Sequence, residues 1–140
     1  MKDKNLLTEQ NKEYIMMLGN ASLSLKERKF MFIGILFVTI LDKKVFHNKD
    51  ELKEYIGIYE KILNKGEYKS YLYKSRTLLA ARVLKDFKDI DDNETIRQVF
   101  KEHTIFIKQK LGIKDKNKST NTNNNSLLKD ILDEKRGIDG

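Results

Sequence analysis

A run of twelve residues, FMFIGILFVTIL at positions 30–41, is strongly apolar except at Gly34 and Thr39. It is shorter than the roughly 20 apolar residues that a helix needs to cross a bilayer. A helix that is apolar on every side needs partners on every side, so the run predicts a buried helix at the centre of a bundle. Its β-branched residues also fit a buried strand. Ser24 and Glu27 have the spacing of a capping box, however, which favours the helix.

Apolar residues at three- and four-residue steps predict four more helices around the central one. We expect them at these positions: Thr8 to about Leu18, Asn48 to just before Gly66, a long helix from about Glu67 to Ile90, and Asp91 to Leu111 with Gly112 after its end. No proline interrupts them, and no hairpin turn stands between alternating runs. The sequence therefore predicts an all-α fold, a compact bundle of about five helices around the apolar helix 30–41.

The composition changes after Gly112, and this divides the chain into three parts. Residues 1–112 form the predicted bundle domain, and residues 113–125 are rich in Lys, Asn, Ser and Thr, as expected of a flexible polar linker. Residues 126–136 predict a detached, short amphipathic helix whose apolar side carries Leu127, Leu128, Ile131 and Leu132. Such a helix is too short to be stable alone. It either docks on the bundle or binds in a groove of a protein partner.

The residue types exclude most catalytic chemistry. The chain has no cysteine, and its seven glycines form no phosphate-binding loop. Its two histidines, His47 and His103, lack the spacing of metal ligands, and His103 lies on an apolar helix face where a hydrogen-bonded core histidine is expected. We therefore expect no catalytic residue, no metal and no cofactor. Residues 1–10 show no secretory signal, which predicts a cytoplasmic protein that does not enter membranes.

The formal charge of +7 favours a polyanionic partner, because basic side chains release counterions from phosphates. A lysine-rich composition can also arise without any such function. On the predicted long helix, Lys74, Lys85 and Lys88 project within about 60° of one another. The candidate nucleic-acid-binding residues are Lys74, Arg76, Arg82, Lys85, Lys88, Lys108 and Lys110. Tyr71 and Tyr73 could add a stacking ring; the alternative is an ordinary solvated helix face.

Residues 11–63 contain a helix with Tyr14 and Ile15, then LSLKERK at 23–29, FMFIGILF at 30–37 and Val45-Phe46. This order resembles the helical N-terminal region of N-6 adenine-specific DNA methyltransferases of restriction-modification systems. The resemblance implies a helical module that contacts DNA or a specificity subunit. It does not imply catalysis, because the family's cofactor-binding glycine motif and its Asn-Pro-Pro-Tyr/Phe motif have no counterpart here.

These observations favour a non-catalytic, nucleic-acid-associated module, with DNA preferred over RNA as the ligand. It would be accessory to a restriction-modification system or another DNA- or RNA-processing complex. The alternative is an assembly subunit that engages a protein partner through the C-terminal amphipathic helix and its residues Leu127, Leu128, Ile131 and Leu132.

Overall fold

The computed structural model describes residues 2–114, with side chains from Leu6 onward. Within this range the chain forms five α-helices and one 3-10 helix, and no strand. They are α1 (Lys2–Leu18), α2 (Leu25–Leu41), α3 (Lys49–Leu63), the 3-10 helix (Ser70–Lys74), α4 (Arg76–Lys88) and α5 (Asn93–Leu111). The all-α prediction is confirmed. The predicted C-terminal helix 126–136, and all of the predicted linker beyond Lys114, lie outside the described residues.

Local capping interactions start and end the helices near the predicted positions. Ser24 Oγ accepts from the backbone N–H of Glu27 at 3.0 Å, and the backbone N–H of Ser24 donates to Glu27 Oε1 at 2.8 Å, which completes the capping box of α2. Asn48 caps α3 and Asp92 caps α5 through their side-chain oxygens. Gly112 ends α5 in the left-handed conformation, with φ +69°.

Helix α2 is the central element, since it packs against α1, α4 and α5. Its buried side carries Phe32, whose ring meets those of Phe87 and Phe100 at centroid distances of 5.1 and 5.3 Å. The opposite side is bare: Phe30 is 78% exposed and Val38 is 44% exposed. The prediction that the run is covered on every side is therefore wrong for this face. The three helices packed on α2 leave part of its circumference open.

The predicted long helix from Glu67 to Ile90 is interrupted. The 3-10 helix occupies residues 70–74, and Ser75 is extended with φ −138° and ψ 117°. Ser75 Oγ then accepts from the backbone N–H of Leu78 and caps α4, so α4 begins only at Arg76. This break lets Leu72 enter the core, where it is 1% exposed. The first helix also differs from the prediction, because it begins at Lys2 rather than at Thr8.

A chain of three polar side chains crosses the core. Tyr55 Oη lies 2.7 Å from Tyr59 Oη and 2.7 Å from His103 Nδ1, and all three residues are fully buried. Buried polar groups are stable when they are hydrogen-bonded to one another. The prediction of a hydrogen-bonded core histidine at His103 is therefore confirmed.

Candidate nucleic-acid interface

Helix α4 separates an apolar side from a basic side. Its buried residues are Leu79, Ala80, Val83 and Phe87. Arg82, Lys85 and Lys88 follow one another at three-residue steps on the opposite side and are exposed. With a rise of 1.5 Å per residue, they form an oblique row about 9 Å long. The structure thus brings together three of the seven predicted nucleic-acid-binding residues.

Lys74 does not belong to this row. It ends the 3-10 helix, and the extended Ser75 separates it from α4. The predicted angle between Lys74 and Lys85 assumed a continuous helix, so that part of the prediction is wrong. Lys74 is nevertheless exposed.

The side chain of Arg76 is hydrogen-bonded to backbone carbonyls at the end of α2 and in the loop that follows it. Its Nη1 atom donates to the carbonyls of Ile40 and Asp42 at 3.2 and 3.4 Å, and its Nη2 atom donates to the carbonyl of Phe46 at 2.5 Å. A cation is favourable at the C-terminus of a helix such as α2, where carbonyls lack helical partners. The half-buried guanidinium of Arg76 therefore joins the start of α4 to the end of α2, and it points away from the row on α4.

Lys108 and Lys110 lie in the last turn of α5, beside the start of α3. Lys110 Nζ is 3.0 Å from Glu51 Oε1 and 5.9 Å from the centroid of the Phe46 ring. A hydrogen bond from the backbone N–H of His47, followed by the contact with Lys110, lowers the pKa of Glu51 to about 2. Lys110 is thus engaged within the fold. Lys108 is partly buried, and its carbonyl accepts from the backbone N–H of Ile113.

Two lysines that the sequence did not single out lie beside Arg82. The loop between α3 and the 3-10 helix carries Lys65 and Lys69, which line a cavity of about 270 Å³ together with Arg82. Three acidic residues, Glu60, Glu67 and Asp86, line the same cavity, so it has mixed charge. Asp86 Oδ1 lies 3.7 Å from Lys65 Nζ. The sequence prediction missed this loop because it placed a continuous helix from Glu67 onward. Asn-Lys-Gly at 64–66 was the signal that could have indicated a loop, because such residues favour the left-handed backbone that ends a helix.

The loop is held against α4 by Tyr68. Its hydroxyl donates to Asp86 Oδ2 at 2.7 Å, and its backbone N–H donates to Glu60 Oε2 at 2.8 Å. Partial burial, together with the contact with Asp86, raises the pKa of the Tyr68 hydroxyl well above its ordinary value. These two bonds position Lys65 and Lys69 next to α4.

The two tyrosines proposed as stacking rings differ in their surroundings. Tyr71 is 50% exposed. Tyr73 is half-buried, with Lys53 Nζ 5.4 Å from its ring centroid. Burial and the nearby carboxylates of Glu60 and Glu67 raise the pKa of Tyr73 to about 12. Tyr71 is therefore the ring that is open to a base.

The C-terminal end of α4 is capped by a lysine from α2. Lys29 Nζ donates to the carbonyls of Lys88 and Ile90 at 2.9 and 2.6 Å. Lys85 Nζ lies 3.9 Å from Asp89 Oδ2 on the surface, and such exposed pairs contribute little free energy. Lys88 keeps its side chain exposed while its carbonyl serves as an acceptor.

The five residues Lys65, Lys69, Arg82, Lys85 and Lys88 are called the basic stripe below. Within residues 2–114, no three His, Cys, Asp or Glu side chains cluster in a way that could hold a metal ion. In the same range, no helix is both long enough and apolar enough to pass through a membrane. The predicted partner-binding residues Leu127, Leu128, Ile131 and Leu132 lie outside the described residues.

No protein-family model matches this chain, and no curated protein and no solved structure matches it significantly.

Proposed function

We propose that this chain is a non-catalytic helical module that binds the phosphates of nucleic acid along the basic stripe. The observation that carries the proposal is the meeting of two separate segments, because the loop lysines Lys65 and Lys69 lie beside Arg82 of α4. Glu60, Glu67 and Asp86 line the cavity between these segments, so we propose that the phosphates lie along the exposed side of α4, where Arg82, Lys85 and Lys88 follow one another. Tyr71, on the neighbouring 3-10 helix, offers an exposed ring for a base.

The distribution of charge along the sequence supports the same surface. Residues 115–140 contain five basic and five acidic residues, so the whole surplus of +7 lies in residues 1–114. The predicted DNA preference comes from the resemblance of residues 11–63 to the helical region of adenine-specific DNA methyltransferases. That resemblance is also the reason to propose an accessory role in a restriction-modification or other DNA- or RNA-processing complex.

The test is a fluorescence-anisotropy titration with labelled duplex DNA and single-stranded RNA at several salt concentrations. Five phosphate contacts predict a slope of log K against log salt near −4.5 on duplex DNA, which is about a 500-fold loss of affinity between 50 and 200 mM salt. Changing Arg82, Lys85 and Lys88 together to Glu removes three of these contacts. We expect binding at 50 mM salt to be lost, while the helical circular dichroism stays unchanged.

A matched control carries the same charge change on other faces. Lys12→Glu, Lys43→Glu and Lys49→Glu together alter three exposed lysines and lower the formal charge from +7 to +1, as the stripe variant does. We expect this control to keep most of its affinity. Equal loss in both variants, or no binding by the unaltered protein at 50 mM salt, would contradict the proposal.

The alternative, an assembly subunit that engages a partner through Leu127, Leu128, Ile131 and Leu132, stays a prediction from the sequence. It is compatible with the first proposal, because it uses a different part of the chain.

A further inference from the structure

Helix α2 presents an apolar face that no described part of the chain covers. Phe30 and Val38 are exposed, and Gly34 lies between them on the same line of residues at four-residue steps. The half-buried residues Ile33, Phe37 and Leu41 extend this face on one side. A contiguous exposed apolar surface on a helix marks an interaction site more often than scattered apolar residues do.

The line of residues has an order that points to its partner. It reads Lys26, Phe30, Gly34, Val38, Asp42. Residues at equal distances before and after Gly34 are complementary. The large Phe30 corresponds to the smaller Val38, and the positive Lys26 corresponds to the negative Asp42. This symmetry is what a self-complementary, twofold interface requires.

We propose that a second copy of this chain packs its α2 antiparallel against this face, with the twofold axis at Gly34. In that arrangement Phe30 of one protomer faces Val38 of the other, and Lys26 faces Asp42. Two rows of residues at four-residue steps pack against each other at a crossing angle of about −50°, and this inclination keeps the two rows facing each other along their length. Lys88 of the basic stripe lines the same surface pocket as Lys26 and Phe30, so the proposed dimer face adjoins the stripe there.

The surroundings of Gly34 and Asp42 fit this arrangement. A Cβ atom built on Gly34 would meet nothing within 4 Å, so the backbone of α2 is open to close approach there. Asp42 uses one carboxylate oxygen to accept from the backbone N–H of Lys44 at 2.8 Å. Lys26, which faces Asp42 in this arrangement, is exposed.

The expected dimer is weak. A helix of 17 residues is about 25 Å long, and a single pair of such helices buries less than the roughly 1,600 Å² of a standard interface. We therefore expect dissociation at micromolar concentrations. Sedimentation velocity on the full chain, from about 1 µM to about 1 mM, measures the dissociation constant in this range.

Two variants with matched controls locate the interface. Phe30→Glu should weaken dimerisation at least about 30-fold, as expected for a central aromatic side chain. Met16→Glu on α1 changes a residue of similar exposure, 72% against 78%, and should have little effect. Gly34→Gln should weaken the dimer by blocking close approach. Gly57→Gln on α3 is its control, because a Cβ on Gly57 also meets open space.

A charge exchange tests the orientation of the two helices. Lys26→Glu and Asp42→Lys should each weaken the dimer about fivefold, because each places like charges opposite one another. The double variant should regain the original affinity, since it restores both pairs with reversed signs. Both changes also suit the helix dipole of α2, so the monomer should remain folded.

Three outcomes would overturn the proposal. The first is a protein that stays monomeric up to about 1 mM. The second is a dimer that tolerates Phe30→Glu and Gly34→Gln, because another surface must then hold it. The third is a monomer whose melting temperature is lowered by Phe30→Glu but not by Met16→Glu. In that case another part of the same chain covers this face of α2.

Discussion

The hydroxyl of Tyr55 lies 2.7 Å from His103 Nδ1, and this contact joins α3 to α5 inside the core. Burial lowers the pKa of His103 from 6.5 to about 3. His103 Nε2 has no hydrogen-bond partner among the described residues. The folded protein therefore holds this histidine neutral.

The state of His103 predicts a loss of stability in mild acid. Between pH 6.5 and about pH 3 the unfolded chain binds a proton that the folded chain does not, so the free energy of unfolding falls as the pH falls. From pH 7 to pH 5 the expected loss is about 2 kcal/mol. Urea unfolding at several pH values measures it. His103→Leu should remove most of this dependence, whereas His47→Asn, which changes an exposed histidine, should keep it.

Arg76 is expected to matter for folding and not for nucleic-acid binding. Arg76→Ala removes the hydrogen bonds to the carbonyls of Ile40 and Asp42 at the end of α2 and of Phe46 in the following loop. It should lower the free energy of unfolding by about 2–3 kcal/mol. Arg82→Ala, on the exposed side of α4, should change it by less than about 0.5 kcal/mol. For the nucleic-acid affinity we expect the reverse order, with a larger loss in Arg82→Ala than in Arg76→Ala. A stable Arg76→Ala protein that has lost nucleic-acid binding would contradict this division.

The capping box should contribute measurably to the central helix. Ser24→Ala removes the oxygen that accepts from the backbone N–H of Glu27, and an N-cap loss of this kind costs about 1 kcal/mol. Thermal unfolding followed by circular dichroism provides the measurement. Ser70→Ala, at another exposed serine, is the control and should stay within about 0.5 kcal/mol of the unaltered protein.

Two glycines should respond to alanine in opposite directions. Gly57 lies inside α3, where a Cβ meets nothing within 4 Å, so Gly57→Ala should stabilise the protein by about 0.5–1 kcal/mol. Gly66 has φ +90°, a backbone conformation that a Cβ disfavours, and Gly66→Ala should destabilise it by about 1 kcal/mol. Equal effects of the two substitutions in chemical denaturation would show that the backbone at Gly66 does not constrain the loop.

Helix ends that are fixed by residues close together in the sequence could be predicted from the sequence. The capping pair of Ser24 with Glu27, the cap at Asn48 and the left-handed Gly112 depend on residues within a few positions of one another. Spacing alone therefore located the boundaries. The same spacing failed between Glu67 and Ser75, where burial of Leu72 by distant residues competes with helix formation.

Tertiary contacts decide which basic residues lie in the candidate nucleic-acid interface. The sequence analysis placed Arg76 and Arg82 together among the candidate nucleic-acid-binding residues. Arg76 turns to the carbonyls of Ile40, Asp42 and Phe46, 30 to 36 residues away along the chain. Lys65 enters the basic stripe because the hydroxyl of Tyr68 binds Asp86, 18 residues further on.

The helical class, most helix ends and the size of the positive charge follow from residue types and from interactions within one or two turns, so they could be predicted from the sequence. Which charges lie close together, which are used inside the fold, and which face of α2 stays open became visible only once the helices were packed. Those outcomes depend on how helices pack across long separations in sequence, and no local spacing encodes that packing.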